Sequence, residues 1–193
     1  ICALALVVAV ITTCGEPTTP DTGPGPATEL RFTQQPPSNI IADVTAPLVV
    51  VTAFDAHGDT ATGFNESVSL MSENDPGAAA LAGATAIASA GVAKFDALKF
   101  KKSGTYKLLA KSGSLTSSPS TDVNVGAGQA TKLAFSVWPI SAVAGAAIAP
   151  AVQVEVQDAN GNRVQTSPNV TIDFDNNPGT SILGGTTSKT ANS

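Results

Sequence analysis

The stretch PAVQVEVQDANGNRV sets Val152, Val154 and Val156 in alternation with Gln153, Glu155 and Gln157. Successive side chains of an extended strand point to opposite faces, so a period of two predicts a strand with one buried and one wet face. PLVVVTAFDAHGD repeats the design earlier in the chain, with Val49, Val51 and Ala53 at the inward positions. Each run ends in Asp-x-x-Gly, as DAHGD over Asp55–Asp59 and DANGN over Asp158–Asn162. Gly58 and Gly161 supply the positive φ that closes a hairpin, and the aspartates can accept hydrogen bonds from nearby backbone amides. GVAKFDALKFKKSGTYKLLAKSGSL, from Gly91, adds short strands with turn signals about every ten residues, the spacing of a β-sandwich.

These patterns belong to one internal repeat. ATELRFTQQPPS from Ala27 matches ATKLAFSVWPIS from Ala130, a displacement of 103 that also pairs Val49 with Val152, Asp55 with Asp158 and Gly58 with Gly161. One residue is then lost, and VSLMSENDPG matches VTIDFDNNPG at a displacement of 102. Two copies of one domain are therefore expected, at 29–126 and 130–193. The second lacks a counterpart of Val92–Val125, so it is expected to be incomplete, with an unpaired edge and exposed apolar surface.

SGTYKL resembles the tyrosine corner of immunoglobulin-type folds, in which a Tyr hydroxyl bonds back to the backbone; Leu108 stands two residues after Tyr106, where antibody domains carry a cysteine. Together the VQDANGN, NNPG and GTYKL blocks resemble the bacterial immunoglobulin-like repeats strung along invasin- and intimin-type adhesins and large cell-surface proteins. The resemblance spans Ala27–Ser193. It implies an all-β chain of tandem immunoglobulin-like sandwiches, the second truncated at its C-terminal end. Val49, Val51, Tyr106, Leu108, Val152 and Val154 are then core residues.

The front of the chain differs in kind. Residues 1–13, ICALALVVAVITT, are almost wholly apolar yet short of the roughly 20 residues that cross a bilayer as a helix. Their length suits the apolar part of a signal peptide, and a start on Ile1 without a basic segment reads as a fragment of a longer precursor. ITTC resembles a bacterial lipobox, with Thr13 where such motifs prefer Ala, Gly or Ser. That resemblance implies lipidation of Cys14; the plainer alternative is a truncated signal or membrane helix in which Cys14 is only a cysteine. Each buried acyl methylene contributes about 0.8 kcal/mol, so several chains on one residue hold a protein at a membrane. The segment 15–28, rich in Pro, Thr and Gly, is expected to be an extended tether. Residues 1–14 are then the signal remnant, and the location is the bacterial cell envelope, lipid-anchored at the outer membrane or cell surface.

Composition narrows the function. Charged residues make up 13% and aromatics 5%, so the cores must be built from small and β-branched side chains, which favour strands. A net charge of −5 argues against nucleic acid, whose phosphates require a basic surface. Cys2 and Cys14 are the only cysteines, so everything beyond Cys14 is without disulfides or thiolate chemistry. GxSxG, HExxH, GxxxxGK[ST] and CxxC are all missing, and no catalytic, cofactor or metal residue is assigned.

Several residues carry a sharper reading beside the plain one. Asp158, Asn160 and Asn162 alternate like the start of a calcium loop, but no Glu follows at EF-hand distance, and a hairpin turn is the simpler account. His57, the single histidine, sits in the matching turn without a metal or nucleophile companion. Lys94, Lys99, Lys101, Lys102, Lys107 and Lys111 keep strand edges soluble or contact an anionic glycan or lipid. Trp138, the single tryptophan, is expected to pack across the boundary between copies, with stacking on a sugar ring as the alternative. The sequence thus predicts a non-enzymatic surface lipoprotein whose repeats form a stalk or adhesive array toward a host, glycan or protein ligand it does not identify. The rival is an accessory or carbohydrate-binding module of a larger extracellular enzyme.

Overall fold

The computed structural model describes residues 23–73 and 81–192. Cys2, Cys14, the apolar leader and most of the tether lie outside the described residues. Every regular element among those described is a strand, and no helix is long and apolar enough to cross a membrane.

The first copy contains β1 (Glu29–Gln34), β2 (Asn39–Ile41), β3 (Val49–Phe54), β4 (Ser67–Ser72), β5 (Leu81–Ala82) and β6 (Thr85–Ile87). It continues with β7 (Val92–Phe95), β8 (Lys99–Phe100), β9 (Gly104–Tyr106), β10 (Leu108–Ser112), β11 (Leu115–Thr116) and β12 (Val123–Gly126). The second copy contains β13 (Lys132–Val137), β14 (Gln153–Gln157), β15 (Asn169–Thr171) and β16 (Ser188–Thr190). In the first copy the strand orders are β1-β3-β7, β11-β10-β4-β6, β2-β12-β9 and β5-β8; the second copy has the pairs β13-β14 and β15-β16. All pairings are antiparallel except β2 with β12.

The period-two runs do what their spacing predicts. Val49 and Val51 are fully buried on one face of β3, and Val68 and Leu70 on one face of β4. They meet Phe95, Leu98, Phe100, Tyr106 and Leu108 in a single apolar cluster drawn from Leu30 to Val125. Each such side chain contributes about 1.5–3 kcal/mol on burial.

The sequence repeat is also a repeat of hydrogen bonds. β1 pairs with β3 as Leu30 opposite Ala53 and Phe32 opposite Val51, with a bulge before Gln34. β13 pairs with β14 as Leu133 opposite Val156 and Phe135 opposite Val154, with a bulge before Val137. The isolated bridges Phe54–Thr60 and Gln157–Arg163 follow at the same displacement. In the sheet of β4 and β6 the displacement changes, for Val68 faces Ala86 whereas Val170 faces Lys189. The residue lost before β15 is therefore regained before β16, within the run that contains Gly184 and Gly185.

The copies differ in burial. Among the described residues, Val156, 7% exposed, is the sole buried apolar side chain beyond Val125. Leu133 and Phe135 are 53% and 56% exposed, and Val152 and Val154, expected in a core, are half-buried. The reason lies in the neighbours: β7 covers the outer edge of β3, and β10 that of β4, whereas β14 and β15 each have one partner among the described strands.

Candidate functional site

The two Asp-x-x-Gly turns are the most highly organised polar groups in the described chain. Each begins directly after a strand, β3 or β14, and its glycine has the left-handed backbone the turn requires, with φ of 85° at Gly58 and 79° at Gly161. The ring is closed by two backbone bonds in each copy: Asp55 N to Asp59 O and Gly58 N to Asp55 O, then Asp158 N to Asn162 O and Gly161 N to Asp158 O.

The aspartate side chain fixes the inside of the turn and reaches outside it. Oδ1 of Asp55 accepts the amides of His57 at 2.9 Å and Asp59 at 3.0 Å, while Oδ2 accepts the amide of Gly25 at 2.8 Å. In the second copy, Oδ1 of Asp158 accepts the amides of Asn160 at 2.9 Å and Asn162 at 2.8 Å, and Oδ2 accepts Gly128 at 2.8 Å. Gly25 and Gly128 lie in the segments leading into β1 and β13, so each turn clamps the chain as it enters its own copy. Gly25 and Gly128 stand at the displacement of 103, two residues ahead of the matched blocks that start at Ala27 and Ala130, so the repeat extends to them.

Hydrogen bonding decides the charge state. The Gly25 amide foremost, with those of Asp59 and His57, holds the Asp55 carboxyl below the ordinary aspartate value against the cost of burial. Burial pushes Asp158 upward, but the Asn162 side chain and the amides of Asn162, Gly128 and Asn160 outweigh it and hold this carboxyl low as well. A carboxylate offers about four acceptor positions. The amides of Gly128, Asn160 and Asn162 and the Asn162 side-chain Nδ2, at 2.7 Å, occupy them at Asp158. The oxygens a calcium ion would need are thus committed to N–H donors, which favours the hairpin-turn reading of DANGN.

The turns diverge at their fifth position. Asp59 is exposed, whereas Asn162 is only 5% exposed and Asp158 2%. Asn162 Nδ2 donates to the Lys101 carbonyl at 2.8 Å, and its Oδ1 accepts the Ser103 amide at 3.0 Å. Lys102 Nζ donates to the Asn160 carbonyl at 2.6 Å. The receiving loop is held from its own side by Tyr106, whose hydroxyl donates to the Lys102 carbonyl at 2.8 Å. This is the bond-back that the SGTYKL resemblance implies, and Tyr106 and Leu108 are both buried.

The other singled-out residues disperse. His57 is exposed and contributes its backbone amide to the turn. Of the lysines, Lys102 spans to the second turn and Lys107 lies 3.9 Å from Asp122; Lys94, Lys101 and Lys111 are exposed. Trp138 is 61% exposed instead of packing across the boundary, because the joint is made by the polar turn and not by β13. With Phe135, Pro139, Val152 and Ile172 it lines an open apolar depression of about 500 Å³. Among the described residues, no group of three or more His, Cys, Asp and Glu is placed to hold a metal ion.

No protein-family model and no curated protein matches the chain. Among solved structures, it is similar to surface layer protein SbsC, domains 4–9, at 18% identity and a TM-score of 0.36, over 80% of this chain and 24% of that one. It is also similar to SbsC domains 1–6, at 15% identity and a TM-score of 0.33, over 79% of this chain and 20% of that one. The chain therefore spans about a quarter or less of these structures, and TM-scores below 0.5 establish no common fold.

Proposed function

We propose that the chain is a non-enzymatic bacterial surface lipoprotein whose repeated immunoglobulin-like copies act as a spacer or adhesive array. The observation that carries this reading is the duplication itself. The same strand pairing, bulge and aspartate clamp recur at one displacement, and each clamp engages the chain on its way into a copy. Repeated units with short, fixed connections extend a chain by copy number without requiring new chemistry. The organised polar groups support this reading too, since the turn aspartates are spent on backbone amides that hold the entering chain in each copy. In this reading Cys14 carries the lipid and residues 15–28 lift the first copy from the envelope.

The experiment is fractionation of cells producing the full protein and a Cys14→Ser variant, combined with labelling of intact cells by an impermeant reagent. The unsubstituted protein is expected in the membrane fraction after high-salt washing and labelled from outside; the variant is expected in the soluble fraction. Retention of Cys14→Ser in the membrane would sink the anchor, and failure to label would sink the surface location.

The exposed Trp138 favours a second reading, a carbohydrate-contacting module accompanying an extracellular enzyme. An aromatic face beside an apolar depression can stack on a sugar ring. A glycan array on which Trp138→Ala loses all signal would favour it over the spacer, and an array blank for the unsubstituted protein would remove it.

A further inference from the structure

We infer that the second Asp-x-x-Gly turn is a latch that fixes the second copy on the first, and that residue 162 decides whether the latch closes. This holds whether the copies space an adhesin or accompany an enzyme.

The chemistry of the joint requires an amide at that position. The Ser103 backbone N–H can only donate and the Lys101 carbonyl can only accept, so one side chain facing both must offer an acceptor and a donor together. Asn162 does so, and its Nδ2 also donates to Asp158, tying the docking contact to the clamp that holds Gly128. An aspartate at 162 would keep the acceptor, lose the donor and place a second carboxylate against both Asp158 and the Lys101 carbonyl. The first copy carries that residue: Asp59 takes the matching place in a turn closed by the same backbone hydrogen bonds and is exposed.

The receiving side is built to match. Tyr106 pins the Lys102 carbonyl from within the first copy, which orients the loop so that the Lys101 carbonyl, the Lys102 ammonium and the Ser103 amide all face the turn. Lys132, from the second copy, reaches the Ala159 carbonyl at 3.4 Å and adds a second cation beside the turn. Asp158 and Asn162 are buried, while Lys101 and Ser103 opposite them are exposed, so the contact is partly shielded from solvent.

Amide hydrogen exchange by NMR, on the whole chain, tests the latch. The Ser103 amide reports docking, while the Gly161 and Val164 amides, bonded to Asp158 and Val156, report the turn itself. In Asn162→Asp, Ser103 exchange is expected to rise severalfold, up to about tenfold, the effect of losing a part-buried hydrogen bond. Gly161 and Val164 should stay protected, and relaxation should change from one tumbling body to two. Asp59→Asn is the control and should change none of these. Fast Ser103 exchange in the unsubstituted protein, or unchanged exchange and tumbling in Asn162→Asp, would overturn the inference. Should Asn162→Asp release the turn amides as well, Lys102→Ala decides. It leaves every turn residue in place and must raise Ser103 exchange severalfold; no change there overturns the latch.

Discussion

Ser120 sits at the rim of the core, where its hydroxyl accepts the Leu108 amide at 2.9 Å and donates to the Thr121 carbonyl at 2.8 Å. Ser117 repeats the move one turn of the pleat away, accepting the Ala110 amide at 2.9 Å. Both serines are buried, so these hydroxyls stand in for the backbone carbonyls of a partner strand. Ser120→Ala should therefore leave an amide underpartnered out of reach of water and destabilise the protein by about 1–3 kcal/mol. The measurement is urea denaturation, with the midpoint falling and the slope unchanged; an unmoved midpoint would refute it. Acid behaviour also belongs to single residues. Asp55 and Asp158 have carboxyls held low in the folded chain, so each stabilises it fully above the unfolded aspartate value of about 3.9 and loses that contribution as pH falls through the lower folded value. The melting temperature should hold from neutral pH to about 5 and decline below about 4. The decline should be shallower in the Asp55→Asn, Asp158→Asn double variant, and an equally steep one would show that other carboxylates govern it. Exposed Glu29, held low by its hydrogen bond to Arg31, adds little to that slope.

At the scale of elements, the strand pairs β1-β3 and β13-β14 share register and bulge yet differ in what covers them. Leu30 is fully buried and its counterpart Leu133 is 53% exposed. Leu30→Ala should thus cost about 2–5 kcal/mol, while Leu133→Ala, losing little buried area, should cost under about 1 kcal/mol. Parallel denaturant titrations would measure both, and equal losses would mean that the second pair carries a core as complete as the first. The pairing itself was legible in the sequence, because alternation fixes which face turns inward and a constant displacement carries that face from one copy to the other. Alternation alone did not tell which inward valines would be buried, since Val152 shows the same pattern as Val49; the missing counterpart of Val92–Val125 led only to the expectation of exposed apolar surface somewhere in the second copy. The change of displacement between β15 and β16 escaped for a related reason: short polar strands in a glycine-rich run offer no apolar alternation to count.

At the scale of the molecule, one apolar cluster from Leu30 to Val125 holds nearly all the buried apolar side chains among the described residues, and the second copy joins the first through a polar contact at the Lys101–Ser103 loop. Opening free energy follows local burial and bonding. Amides in β3 and β10 should exchange slowest and those in β15 and β16 fastest, with Gly128 and Ser103 between them because the latch protects them. Exchange in β15 as slow as in β3 would contradict this ordering. The sequence by itself determined the all-β class and the duplicated turns, because these rest on alternation and on glycine backbones; the tyrosine that bonds back to its own loop was implied by the resemblance of SGTYKL to a tyrosine corner. It could not determine that Asn162 grips the Lys101–Ser103 loop or that Trp138 stays in solvent. Those outcomes depend on which surfaces meet after each copy has folded, and partners about 60 residues apart leave no periodic trace for the sequence to display.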